Sequence, residues 1–141
     1  MVGRIYRAKK CIGYEKSALS AYPKINLKLL NVRLEEYPST LSFVVDTGFE
    51  GSILVKNDVY EFFEVGELPR KYWRTYSSMA GLITMKVAKA IVWLGENIKI
   101  ETYVETPLLG TGKMLVGREL LNKVVIILDG ARKQACIADT I

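Results

Sequence analysis

Period-two alternation of polar and apolar residues runs through most of this chain. Over residues 23–29 it puts Ile25, Leu27 and Leu29 on one face of a strand, and Val32 and Leu34 carry a similar alternation onward. Tyr37, Pro38, Ser39 and Thr40 supply a turn, after which Leu41, Phe43 and Val45 point one way along a second strand. Ile53, Leu54 and Val55 form a short apolar run of the kind found in buried strands. Residues 73–76 and 82–94 are β-prone and flank the short-chained Ser77, Ser78, Met79, Ala80 and Gly81, the pattern of a projecting hairpin with a small tip. A turn at Gly95, Glu96 and Asn97 leads into a strand through Ile98, Ile100, Tyr103 and Val104 up to Pro107. Residues 124–128 and 134–137 make a last pair of strands around Asp129 and Gly130.

Two short helices interrupt this pattern. Asn57 is placed to cap one over residues 58–63, stopped near Gly66 and Pro69, and residues 118–123 fit another. The first twenty residues are irregular and read as a mobile arm or an edge strand. The expected organisation is a basic N-terminal extension over residues 1–20 and a single all-β domain over residues 21–141.

Composition narrows the chemistry. The chain has 141 residues, half of them apolar, enough to fill one core. No apolar run approaches bilayer length, and Arg4, Arg7, Lys9 and Lys10 are not followed by an apolar signal core, so a soluble cytoplasmic protein with no membrane partner is expected. The net charge of +5 is spread among alternating lysines, arginines and acids, which fits a solvated surface better than a nucleic-acid interface. Histidine is absent, which removes Ser-His and Cys-His catalysis and the usual zinc sites. Cys11 and Cys136 stand far apart; two reduced thiols are the default, with a bridge between them as the alternative. A single glutamine, Gln134, amid abundant lysine, glutamate, isoleucine and valine is a bias of heat-adapted proteins.

The apolar strand ending at Val45 delivers a lone acid, Asp46, followed by Thr47 and the turn-forming Gly48. A second constellation stands far downstream: Met114, Leu115, Val116, Gly117, Arg118, Glu119, Leu120 and Leu121. In this order, with a hairpin between them, the two motifs resemble those of the retroviral-type (retropepsin-like) aspartic proteases. The likeness is strongest to the small prokaryotic members, whose motif often continues into phenylalanine as Phe49 does here. The resemblance spans about residues 22–137.

It implies an all-β, retropepsin-like closed β-barrel or sandwich with its active site at a homodimer interface. Asp46 would be catalytic, Thr47 would lock the two active-site loops together, and Gly48 would offer backbone contacts to a peptide. Val116 and Gly117 would pack under the catalytic loop with Leu115. Glu50 and Arg118 stand where the family carries an acid and an arginine, so a structural Glu50–Arg118 ion pair is expected. A flap over residues 76–82, with its tip near residues 78–81, would cover the substrate and bind it through Ser77, Ser78, Met79, Ala80 and Gly81, and residues 111–115, including Lys113 and Leu115, would line the cleft.

Hydrolysis by carboxylates alone needs one ionised group to activate water and one protonated group to donate to the carbonyl oxygen. With one Asp-Thr-Gly per chain, the second carboxylate must come from a twofold mate. The expectation is a homodimeric endopeptidase, most active at acidic pH, acting on peptides or unfolded proteins without metal or cofactor. The competing readings are a catalytically silent dimeric binding or assembly module and, ranked lower, a basic β-domain that binds nucleic acid.

Overall fold

The computed structural model describes residues 3–94 and 98–140; the expected turn at residues 95–97 lies outside them. Among the described residues twelve strands follow in chain order. They are β1 (Tyr6–Gly13), β2 (Glu15–Lys16), β3 (Ala21–Tyr22), β4 (Lys24–Leu30), β5 (Leu41–Val45), β6 (Ile53–Leu54), β7 (Arg74–Ser78), β8 (Gly81–Trp93), β9 (Lys99–Pro107), β10 (Leu115–Val116), β11 (Val125–Asp129) and β12 (Gln134–Thr140). Two short helices, α1 (Asn57–Tyr60) and α2 (Arg118–Leu121), complete the regular elements together with 3-10 turns at Glu61–Gly66 and Arg70–Tyr72. Among the described residues no helix is long and apolar enough to cross a membrane.

The alternating stretches pair into a seven-stranded sheet in the order β4-β5-β10-β6-β9-β8-β7. Lys28, Leu29 and Leu30 of β4 also pair with Trp93, Val92 and Ile91 at the far end of β8. The long strand β8 thus carries β9 along one edge and shares the other between β7 at its start and β4 at its end. Ile25, Leu27 and Leu29 of β4, as their spacing predicts, are buried together with Phe43, Ile53, Val92, Val104 and Val116. Truncating a fully buried side chain such as Phe43 to alanine costs about 3–5 kcal/mol, so this core fixes the register of the strands that bear the site.

Two local expectations give way to competing bonds. Val32 and Leu34 do not extend β4: the buried Asn31 accepts the N–H groups of Arg33 (2.9 Å) and Glu35 (3.2 Å) on Oδ1, and Leu34 takes φ +63°. A side chain that bonds its own following backbone turns the chain where alternation alone would continue it. Asn57 does not cap α1, whose N-cap position falls on Lys56. Its Oδ1 accepts from Thr106 Oγ1 (3.3 Å) and from the Gly112 N–H (3.2 Å), tying α1 to the end of β9 and the segment beyond. The second helix is shorter than expected and stops at Leu121.

The N-terminal arm is an edge strand. β1 pairs antiparallel with β12, and β12 with β11, giving a separate three-stranded sheet. Cys11 and Cys136 are not the two reduced thiols expected by default: they form a disulfide across 125 residues of chain. Sequence distance hides this contact. The β1–β12 ladder creates it, with Lys9 opposite Ile137, Ile12 opposite Ala135, and a bulge between them that sets Cys11 against Cys136.

Candidate active site

β5 ends where its apolar side chains end, and the next residue is Asp46. β10 lies parallel to β5, with Leu115 opposite Val44 and Val116 opposite Val45, and antiparallel to β6 on its other side. The loop over residues 46–52 therefore leaves one neighbour of β10 and returns as the other. The Val44 N–H donates to the Met114 carbonyl (3.0 Å) and the Asp46 N–H to the Val116 carbonyl (2.9 Å), so the pairing runs on to the acid itself. The half-buried Asp46 carboxylate accepts the Gly48 N–H on Oδ1 at 2.9 Å, and its carbonyl accepts the Phe49 N–H at 3.2 Å. These bonds fix the carboxylate in a tight turn while Thr47 and Gly48 face solvent.

The far side of the loop is strapped by the start of α2. Gly117 donates its N–H to the Ser52 carbonyl (2.8 Å), Arg118 to Phe49 (2.9 Å) and Glu119 to Gly51 (3.2 Å). The unpaired N–H groups at a helix start thereby find their acceptors in the loop. Gly117 is required by this approach, because a Cβ there would run into the carbonyls of Phe49 and Gly51 and the Phe49 ring. Arg118 Nη2 lies 3.3 Å from Glu50 Oε1 at the surface, with both side chains at least half exposed.

Beneath the loop sits a charged cluster that residue order alone does not single out. Arg74 of β7 donates to both carboxylate oxygens of Glu119 (2.9 and 3.1 Å) and to Glu105 Oε2 (3.2 Å). The Tyr76 hydroxyl donates to Glu105 Oε1 at 2.7 Å. Glu105, on β9, is completely buried, and burial pushes its carboxyl above the ordinary value despite the opposing pull of Tyr76 and Arg74. Burial likewise raises the Tyr76 phenol, with the Glu105 charge adding to it. For Arg74 burial works against the cation, but the bonds to Glu119 and the nearby acids outweigh it and the guanidinium is held more firmly than usual. The signal in the sequence was an acid set between Val104 and Thr106 in an otherwise buried stretch, 31 residues from its arginine. Gly51 is pressed against this cluster: a Cβ there would collide with Glu105 Oε2, the Phe49 ring and the Tyr76 hydroxyl.

The remaining predicted site residues fall into two groups. Val116 and Gly117 are buried against the loop and Leu115 is half-buried beside Val44. Ser77 and Ser78 close β7, Met79 and Ala80 form the turn, and Gly81, at φ +108°, opens β8; all five are exposed, as is Lys113. Thr47 also borders an open apolar groove of about 360 Å³ lined by Val45, Leu121, Val125, Ile126 and Leu128, which the apolar run before Asp129 could have indicated. Among the described residues no three His, Cys, Asp or Glu side chains converge to hold a metal ion.

No sequence profile of a known protein family matches the chain, and no curated protein matches it in sequence. In three dimensions it is similar to the crystal structure of a retropepsin-like aspartic protease from Rickettsia conorii. The superposition has a TM-score of 0.54 at 14% identity and covers 99% of this chain and 98% of that one. At that identity the likeness speaks for architecture: the chain is mostly β with a few short helices, in the fold of a retropepsin-like aspartic protease.

Proposed function

We propose that this protein is an aspartic endopeptidase that acts as a homodimer, with one Asp46 from each subunit. The observation that carries the reading is the Asp46–Thr47–Gly48 turn clasped by Leu115, Val116 and Gly117, within a fold that follows a retropepsin-like protease along nearly its whole length. A half-buried carboxylate held by backbone bonds at the mouth of a rigid loop is suited to general acid-base work.

Two such carboxylates across a twofold axis would share one proton, because like charges at hydrogen-bond distance do not both ionise readily. Aspartic proteases are the standard example of that behaviour. The ionised member takes a proton from water as the oxygen adds to the peptide carbonyl carbon, and the protonated member donates to the carbonyl oxygen. Collapse of the tetrahedral species breaks the C–N bond as the proton taken from water goes to the leaving nitrogen, and one hydroxyl of the tetrahedral carbon returns its proton to the other carboxylate, which gives the carboxyl product and restores the singly protonated pair. Thr47 would join the two loops, and the exposed apolar groove beside it would be covered by the second subunit. The β7–β8 hairpin would act as the flap, adding backbone hydrogen bonds to an extended peptide through residues 77–81 and excluding water, while Lys113 and Leu115 border the cleft.

The test is cleavage of an unfolded protein between pH 2 and 7 by the wild type and by Asp46→Asn, with the oligomeric state followed by sedimentation. The expected result is acid-favoured cleavage by a dimer, lost by at least about a thousandfold in the variant. Cleavage by neither protein would leave a silent dimeric module of the same fold. Equal cleavage by both, or full activity in a species that stays monomeric on dilution, would remove Asp46 as the shared catalytic group.

A further inference from the structure

Glu105 is the one charged side chain among the buried residues described, and its partners come from elements that otherwise have separate tasks. Arg74 and Tyr76 belong to the root of the β7–β8 hairpin, and Glu119 belongs to α2, whose first N–H groups hold the Phe49 and Gly51 carbonyls. The Tyr76 ring meets the Phe49 ring edge-on at 5.6 Å, and Gly51 leaves no space between the loop and Glu105. Hairpin root and Asp46 loop therefore share one set of contacts.

Beyond Tyr76 the character of the hairpin changes. Ser77, Ser78, Met79 and Ala80 are exposed, and the side-chain bonds of the turn are local, from Ser78 Oγ to the Gly81 carbonyl and from the Ala80 N–H to Ser78 Oγ. Burying a carboxylate with an arginine gains little net stability over apolar packing, so such a cluster is better explained by the geometry it imposes.

We propose that Arg74, Tyr76 and Glu105 are positioning residues that lock the root of the hairpin to the loop after Asp46, so that the hairpin bends only beyond Tyr76 and its closure is felt at that loop. This inference rests on the protease reading for its functional meaning, but the mechanical link is measurable without turnover.

The experiment is amide hydrogen exchange of the full chain, comparing wild type, Tyr76→Phe and Glu119→Gln, with peptide cleavage kinetics alongside. Tyr76→Phe keeps the ring on Phe49 and removes only the hydroxyl, with its bond to Glu105 and its contact with Arg74, so it is the variant least prone to unfolding. The expected result is exchange raised about tenfold or more in residues 77–82 and in residues 47–52 together, as for one lost hydrogen bond to a charged group, with β4 and β12 unchanged. Cleavage should show KM raised by a similar factor with kcat within about twofold. Faster exchange in one segment alone, in neither, or evenly across the chain would overturn the link, as would an unchanged KM in an active enzyme. If the wild type cleaves nothing, the exchange data still decide the link while the protease reading falls by itself.

Discussion

The two ends of this fold are held by different physics. Around Asp46, Phe43, Ile53, Val116 and Leu120 are fully buried or nearly so, two glycines sit where a methyl group would not fit, and a buried carboxylate is matched by an arginine and a tyrosine. At the terminal sheet, β1 is exposed along almost its whole length and buries little apolar surface, and it is joined to β12 by a bulged ladder and the Cys11–Cys136 bond. Close packing holds the turn that carries Asp46. A covalent tie suffices where a strand only has to stay in place.

Breaking each end separately sharpens the contrast. The largest loss is expected for Arg74→Met, which leaves Glu105 buried beside Tyr76 without its counter-charge; urea unfolding should show a fall of about 3–5 kcal/mol. Replacing Cys11 with serine should cost about 2–4 kcal/mol in the same measurement. Hydrogen exchange should then quicken in β1 and β12 but not in residues 46–52, whereas Arg74→Met should do the reverse.

A smaller and pH-dependent effect belongs to Glu105→Gln. Burial raises the folded-state pKa of Glu105 above 4.5, so the folded chain binds that proton more tightly than the unfolded chain. The contribution of the group is complete below 4.5 and is lost as pH rises through the raised folded value. Unfolding midpoints measured across that window should therefore move in favour of the glutamine variant with increasing pH. The smallest change is expected at the exposed Glu50–Arg118 pair: Glu50→Gln should cost about 0.5 kcal/mol and less at high salt.

Much of this architecture can be read from residue order. Alternation marks β4, β5 and the hairpin strands because each has a face to bury, and the Asp46 turn announces itself as a lone acid at the end of an apolar strand. Leu115, Val116 and Gly117 are legible because the glycine is demanded by a backbone approach. Alternation fails at Val32 and Leu34, where Asn31 turns the backbone locally. It fails again at Glu105, because the end of β9 is buried on both faces and an acid there looks like any solvated glutamate until Arg74 is brought to it. The disulfide is hidden for a related reason: its partners become neighbours only through the pairing of the first strand with the last.

That bond has a topological consequence. Cys11 and Cys136 close nearly the whole polypeptide into a covalent ring, so a single peptide bond cut anywhere between them opens the ring without parting the molecule. A clip in the exposed turn at Met79 and Ala80 would leave two fragments that migrate as one until a reductant is added, and the terminal sheet would keep both halves of the chain within reach of each other.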